Sequence, residues 1–148
     1  MNVRTLSVLL AASRESVFNF LADIENLPRW APSLCERLYL SRGRWTALSP
    51  LGDVALDLEA SPLTGVIDLH FDLGDHRSVL PLRALPLGAE RTLLSISFMP
   101  APEWPAAILR CDADALAADI GGLIRRFGGG EICAPAAAVP ALAELGLN

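Results

Sequence analysis

The sequence predicts an α+β fold in which a series of antiparallel strands is covered by one long helix near its C-terminal end. The first observation is a helical pattern from Trp104 to Phe127, the longest in the chain, with apolar residues every three or four positions. The second is a series of short segments of alternating apolar and polar residues, separated by turn residues, which is typical of an antiparallel meander. The predicted order is one strand, two short helices, six strands and the long helix.

The long helix has clear boundaries and one predicted buried face. Pro105 suits the first turn, where a backbone N–H has no helical partner, and glycines 128–130 follow the end. Gly121 and Gly122 lie inside the helix, where each costs about 1 kcal/mol relative to alanine. They indicate a close approach of ligand or sheet, or alternatively a kink or a backbone contact with the short helices. The predicted buried stripe is Leu109, Ala113, Leu116, Ile120, Leu123 and Phe127, and the residues that fall away from it are Asp112, Asp114, Asp119, Arg125 and Arg126.

A strand and two short helices are predicted ahead of the meander. Residues 3–11 form a β-rich run, and Ser13 suits the N-cap of the first helix. Residues 25–28 are expected to end that helix, and residues 29–34 to form a second short helical turn anchored by Trp30. The predicted buried face of the first helix is Val17, Phe18, Leu21 and Ile24.

Six further strands follow, and alternation of apolar with other residues is clear in three of them, at residues 54–59, 67–73 and 94–99. This alternation predicts a sheet that is covered on one side. The predicted strands are residues 35–41, 44–49, 53–60, 65–73, 77–84 and 90–99.

Composition excludes several classes of function. The 148 residues suit one domain that buries its own core, and the net charge of −5 disfavours nucleic acid as a partner. All twelve basic residues are arginine, so Schiff-base and P-loop lysine chemistry is excluded. No run of about twenty apolar residues predicts a membrane span, and residues 1–10 lack the layout of a signal peptide. The three widely spaced cysteines, Cys35, Cys111 and Cys133, predict reduced thiols in a cytoplasmic protein, with no disulfide frame and no metal site.

Three polar residues share one face of a predicted strand: Asp68, His70 and Asp72. A histidine between two carboxylates is a candidate general acid or base, with Asp68 as its partner. The alternation of these residues with Ile67 and Leu69 favours the other interpretation, in which they form the solvent face of a half-buried strand.

Arg83 and His76 are the other charged or titratable candidates. If the face of Arg83 points inward, its guanidinium is a cavity cation able to hold a carboxylate or phenolate. If that face points outward, Arg83 is an ordinary surface charge, which its residue type favours. His76 follows a predicted hairpin turn and is expected to be exposed.

Aromatic residues are the candidate walls of a ligand cavity. Trp45 lies in mid-strand, where its flat ring either faces a ring-shaped ligand or packs in the core or at the rim. Phe71 and Phe98 are further candidates for such walls. Trp104, at the start of the long helix, either gates the cavity mouth or plugs the end of the sheet.

Element order and several short motifs resemble the helix-grip fold of the START, polyketide-cyclase and birch-pollen-allergen-like superfamily. The resemblance covers about Val3 to Phe127 and implies a curved antiparallel sheet that grips the C-terminal helix, with an apolar cavity between them. It implies binding of lipids, sterols, polyketides or quinones and, in some members, cyclisation or dehydration. The motifs, which look like the uncharacterised bacterial branch, are Val17-Phe18 leading to Asp23-x-x-Asn26-x-Pro28-x-Trp30, then Gly65-Val66-Ile67-Asp68, Leu80-Pro81-Leu82-Arg83, and Pro100 after the last strand.

The leading hypothesis is a cytoplasmic protein that binds a small hydrophobic or aromatic ligand without a cofactor. A cyclase- or dehydratase-type enzyme that uses the same cavity is the first alternative, with His70 and either Asp68 or Arg83 moving protons and steadying an enolate. A ligand-free interaction module, such as a homodimer formed through the apolar tail, is the second. The expected ligand-binding residues are Trp45, His70, Phe71, Arg83 and Phe98.

Two parts of the chain are expected to differ in character. Residues 1–128 form the helix-grip domain, and residues 129–148 form an alanine- and proline-rich tail. The tail contains Pro135 and Pro140, and its role is left open between disorder and packing on a neighbouring subunit.

Overall fold

The computed structural model describes residues 3–49, 52–72, 74, 77–98 and 106–133, with the side chains of residues 106–114 and 131–133 excepted. The described elements are eight strands, three α-helices and a 3-10 helix. The helices are α1 (Arg14–Leu21), the 3-10 helix (Ile24–Asn26), α2 (Leu27–Trp30) and α3 (Ala106–Phe127). The strands are β1 (Arg4–Leu10), β2 (Arg37–Ser41), β3 (Arg44–Ser49), β4 (Gly52–Ser61), β5 (Val66–Asp72), β6 (Arg77–Pro86), β7 (Thr92–Phe98) and β8 (Gly129–Cys133).

All described strands form one antiparallel sheet in the order β2-β3-β4-β5-β6-β7-β1-β8. Strands β2 to β7 follow one another as a meander, as the spacing of turn residues predicts. Strand β1 lies between β7 and β8, with Leu6 opposite Ile96 and Leu10 opposite Thr92. The predicted α+β architecture, an antiparallel sheet with a C-terminal helix, is confirmed.

One face of the sheet, here called the inner face, carries the hydrophobic core. The alternation in β1, β5 and β7 places every second side chain on this face, and the residues between them lie on the outer face. From α3 the buried residues are Leu116, Ile120 and Leu123, in agreement with the predicted stripe. The largest fully buried core side chains on the sheet are Leu10, Leu56, Ile67, Leu69, Leu82, Leu94 and Ile96.

The first helix begins and packs as predicted. The Ser13 hydroxyl accepts a hydrogen bond of 3.2 Å from the Ser16 backbone N–H, which is the N-cap contact. Val17, Phe18 and Leu21 are buried, and Ile24 is half-buried in the 3-10 helix that follows.

The second helix lies earlier in the chain than predicted. It spans Leu27–Trp30, whereas the sequence pattern predicts a helical turn over residues 29–34. Pro28 occupies the first helical turn, where proline is tolerated because the N–H it lacks would have no partner, so it begins this helix and does not break it. Trp30 is buried and anchors the helix as expected.

The first residues of the predicted tail form a strand. Gly129–Cys133 pairs with β1, with Ser7 opposite Cys133 and Leu10 opposite Gly129. Before it, Gly128 takes a φ of 76° and donates a backbone hydrogen bond of 2.7 Å to Ile124, which ends α3. The rest of the tail, residues 134–148, lies outside the described residues.

Gly121 and Gly122 do not mark a close approach of the sheet. A Cβ atom added to either glycine would meet the Arg125 guanidinium at 3.7 or 3.6 Å, which is ordinary van der Waals distance. The described structure therefore gives no steric requirement for glycine at these positions.

No helix among the described residues is both long and apolar enough to cross a membrane.

Candidate functional site

An open groove of about 350 Å³ lies at one end of the sheet, between the β2–β3 hairpin tip, β4 and the end of α1. We call it the β3–β4 groove. Its size falls at the lower end of the range that small-molecule sites occupy. It is lined by Ala22, Ile24, Gly43, Arg44, Trp45, Leu56, Asp57 and Leu58.

The groove lies where the β3–β4 ladder stops. Their ladder runs from Ser49↔Gly52 to Thr46↔Ala55 and stops there. Strand β3 nevertheless begins at Arg44, and β4 continues to Ser61 while it stays paired with β5. Among the described residues, β4 has no ladder pair with β3 on its other edge beyond Ala55. Because successive residues of a strand direct their N–H and C=O groups to alternate edges, this stretch offers polar backbone groups beside the groove.

Trp45 supplies the aromatic wall of the groove. It lies two residues before Ala47, which is buried opposite Val54, so both side chains belong to the inner face. Trp45 is half-buried, and Leu56 and Leu58 extend the apolar wall along β4. Trp45 therefore lines the groove at its open side, and its contact with a ligand stays a prediction.

A network of three charged residues lies on the outer face of the sheet where the β3–β4 ladder stops, and two of its members, Arg44 and Asp57, line the groove. Arg44 donates to Asp57 at 2.9 Å and to Asp72 at 3.2 Å. These two bonds raise the pKa of the Arg44 guanidinium, with the hydrogen bond to Asp72 the larger cause. The pKa of Asp72 is lowered, first by the hydrogen bond from the Gly74 backbone N–H and then by Arg44. Arg44 and Asp72 are therefore ionised at neutral pH.

His70 and Asp68 lie on the outer face of the sheet, as their alternation with apolar residues predicts. Asp68 accepts a hydrogen bond of 2.7 Å from Arg83, so its described partner is this arginine. His70 Nε2 is 3.8 Å from Glu59 Oε2, which is too long for a hydrogen bond, and has no hydrogen-bond partner among the described residues. A ligand contact for His70 or Arg83 stays a prediction and would belong to the outer face, apart from the groove.

The two candidate phenylalanines lie on the inner face at different distances from the groove. Phe71 is opposite Leu56 in the β4–β5 ladder and packs against the core directly beside the groove wall. Phe98 is buried on β7, three strands away from β4. The structure thus brings Trp45 and Phe71 to one region and leaves Phe98 in another. His76 and Trp104 lie outside the described residues.

A buried carboxylate on α3 departs from the sequence prediction. Asp119 is 8% exposed, whereas the helical pattern places it away from the buried stripe. Its carboxylate accepts hydrogen bonds from the Ser33 hydroxyl and, at 3.3 Å, from the Ser33 backbone N–H. Burial raises the pKa of Asp119, and the two bonds from Ser33 oppose that shift. The sequence signal that could have indicated its burial is the position of Asp119 next to Ile120, at the edge of the buried stripe of α3.

The thiol of Cys35 is buried, and burial raises its pKa to about 11, which makes it a poor nucleophile. In the part of the chain that the structure describes, no three His, Cys, Asp or Glu residues are placed to hold a metal ion.

Comparisons with known proteins find likeness in structure. No protein-family model matches the sequence, and no curated protein matches it. A START superfamily protein from Mycobacterium smegmatis is similar over 84% of this chain and 99% of its own, with 21% identity and a TM-score of 0.58. The Zhui aromatase/cyclase from Streptomyces sp. R1128 is similar over 84% of this chain and 96% of its own, with 20% identity and a TM-score of 0.56.

A third similar structure is a truncated norcoclaurine synthase from Thalictrum flavum, with 15% identity and a TM-score of 0.57 over 83% of this chain and 92% of its own. Together with the single antiparallel sheet and the C-terminal helix, these likenesses show that the chain has the START-like helix-grip fold.

Proposed function

We propose that the protein binds a small apolar or aromatic molecule in the β3–β4 groove. The observation that carries this proposal is a half-buried tryptophan, Trp45, that forms one wall of an open groove with Leu56 and Leu58. A flat indole beside aliphatic side chains favours a ring-shaped or chain-like apolar ligand over a small polar one.

The location of the groove supports a binding role. Leu116, Ile120 and Leu123 fill the space between the sheet and the second half of α3, so this part of the interior is core. The groove lies where the packing opens, between β4 and Ile24 of the 3-10 helix. Backbone N–H and C=O groups at the diverging edge of β4 offer hydrogen bonds to a carbonyl or hydroxyl on the ligand.

A cyclase- or dehydratase-type enzyme is the second candidate. The name of the Streptomyces aromatase/cyclase favours it by fold, but fold alone does not set function. Such chemistry needs two polar groups that converge on one point of the substrate. Arg44 and Asp57 are the charged residues of the described lining, and they bind each other. Binding is therefore the better-supported function.

Native mass spectrometry of the purified protein, before and after extraction with organic solvent, tests the proposal. We expect a small molecule that co-purifies with the wild type and is lost from Trp45→Ala. Leu63→Ala is the matched control, because Leu63 is 90% exposed in the β4–β5 turn and does not line the groove. Bare wild-type protein, together with no thermal shift against a panel of lipids, quinones and polyketides, would overturn the proposal in favour of a ligand-free interaction module.

A further inference from the structure

Around the β3–β4 groove, carboxylates outnumber arginines. This excess of negative charge affects which charge a bound ligand can carry. The residues that line the groove and their immediate neighbours in the chain include two arginines, Arg42 and Arg44. The carboxylates in the same set outnumber them. They are Asp23, Glu25, Asp57 and Glu59.

The guanidinium that lines the groove is already neutralised. Arg44 binds Asp57 through one nitrogen and Asp72 through the other, so this network carries one negative charge in excess. An incoming carboxylate would have to displace one of these partners or approach beside them. Both routes cost electrostatic free energy relative to an uncharged group.

The second arginine is the chain neighbour of the lining residue Gly43 and is not itself part of the lining. Arg42 is exposed at the tip of the β2–β3 hairpin, with a φ of 52°. On the opposite side of the groove, the Asp23 side chain accepts a hydrogen bond of 3.0 Å from the Glu25 backbone N–H, which holds one carboxylate beside Ile24. On the β4 side the lining includes Asp57, and on the 3-10-helix side Asp23 and Glu25 flank the lining residue Ile24 in the chain.

We infer that the β3–β4 groove selects uncharged or amine-bearing aromatic ligands and discriminates against carboxylates such as fatty acids. This inference rests on the proposed binding function and names the class of ligand. The apolar wall of Trp45, Leu56 and Leu58 binds the ring or chain. The excess of carboxylates at the rim sets the charge that the ligand's polar end can carry.

Three probes with the same aromatic body and different polar ends test the inference: naphthylmethanol, naphthylmethylamine and naphthoate. Isothermal titration calorimetry on the whole chain measures each dissociation constant. We expect the alcohol and the amine to bind, and naphthoate to bind about tenfold more weakly than the alcohol. The ratio should shrink as salt is raised from about 0.01 M to about 1 M, because the Debye length falls from about 30 Å to about 3 Å.

Removing the excess negative charge should change the order of the three probes' affinities. In Asp57→Asn/Asp72→Asn, Arg44 loses both carboxylate partners, so naphthoate should gain affinity and the amine should lose it. Asp68→Asn is the matched control, because it makes the same type of change on the same face of the sheet, at a carboxylate that pairs with Arg83 and not with the groove residue Arg44. If the double variant is poorly folded, Asp57→Asn alone, at a side chain that is 65% exposed, gives the same test with a smaller effect.

The outcomes separate the inference from the proposed function. If naphthoate binds as tightly as the alcohol, or more tightly, the charge inference is overturned and the binding function stands. If none of the three probes binds, the proposed groove function is overturned and the inference falls with it. If Asp68→Asn changes the probe order as much as the double variant does, the discrimination does not come from the groove rim.

Discussion

Ser33 and Asp119 join the loop after α2 to the middle of α3 across 86 positions of sequence. The Ser33 hydroxyl and backbone N–H both donate to the same carboxylate, which is 8% exposed. A buried carboxylate is costly unless such donors satisfy it. This contact therefore holds the loop after α2 against α3. The Asp119 carboxyl that makes it is buried, and burial disfavours its ionised form.

Replacing Asp119 should separate the contribution of the Ser33 hydrogen bonds to stability from that of the buried charge. Asp119→Ala leaves the Ser33 donors without their acceptor and should lower the free energy of unfolding by about 1–3 kcal/mol. Asp119→Asn keeps a carbonyl acceptor, removes the buried charge, and should be at least as stable as the wild type at neutral pH. Urea denaturation measures both. Equal destabilisation by the two variants would show that the charge itself is needed.

The same carboxyl predicts how stability changes with pH. Its pKa in the folded protein is raised above the ordinary 3.8, so the folded state binds the proton more tightly than the unfolded state. The Asp119 contribution is therefore most favourable below pH 3.8 and is lost as pH rises through the raised value. The difference in unfolding free energy between wild type and Asp119→Asn, measured from about pH 3 to pH 7, should fall and then level off. A difference that rises with pH would contradict the direction of the shift.

Gly65 should be far less tolerant of alanine than Gly43. Both have positive φ, 73° and 77°, so alanine is strained by a similar amount at each, about 1–2 kcal/mol. A Cβ at Gly65 would lie 2.2 Å from the Ala84 carbonyl oxygen, whereas one at Gly43 meets nothing within 4 Å. Gly65→Ala should therefore cost an additional 1–3 kcal/mol or so, since the backbone of β6 must move. Equal melting temperatures for the two variants would contradict this account.

Gly121→Ala and Gly122→Ala should each stabilise the protein by up to about 1 kcal/mol. Both positions are helical, and the added methyl group has ordinary contact distance to Arg125. Thermal denaturation measures the gain, and co-purification of ligand shows whether binding is affected. A loss of ligand without a loss of stability would revive the close approach of ligand as the reason for these glycines.

Local patterns predicted most of the architecture. Turn residues bounded β3 to β6 closely, alternation marked the one buried face of β4 and β5, and the helical stripe located the second half of α3. The prediction of α2 was wrong at Pro28, because proline both ends helices and begins them, and here it lies in the first turn. Strand β8 escaped prediction because Gly129 and Gly130 have low strand propensity and are held by pairing with β1.

The candidate site was only partly predictable. The residue type of Trp45 made it a candidate wall residue, and it lines the groove. Alternation along β5 predicted that His70 lies on the outer face. The groove itself depends on where the β3–β4 ladder stops, which is a property of register between strands and has no signature in either strand alone. The role of Arg44 follows from two partners that are distant in sequence, Asp57 and Asp72, which no local pattern connects to it.

The position of β1 in the sheet has a consequence for folding during synthesis. Leu6 pairs with Ile96, and Ser7 pairs with Cys133, so both neighbours of β1 are translated long after it. The meander from β2 to β7 can assemble from neighbouring hairpins, but the apolar residues of β1 must wait for the chain to reach β7. Closing such distant contacts is slow. A ribosome-bound chain stopped before β7 should therefore keep Leu6, Val8 and Leu10 accessible to chaperones.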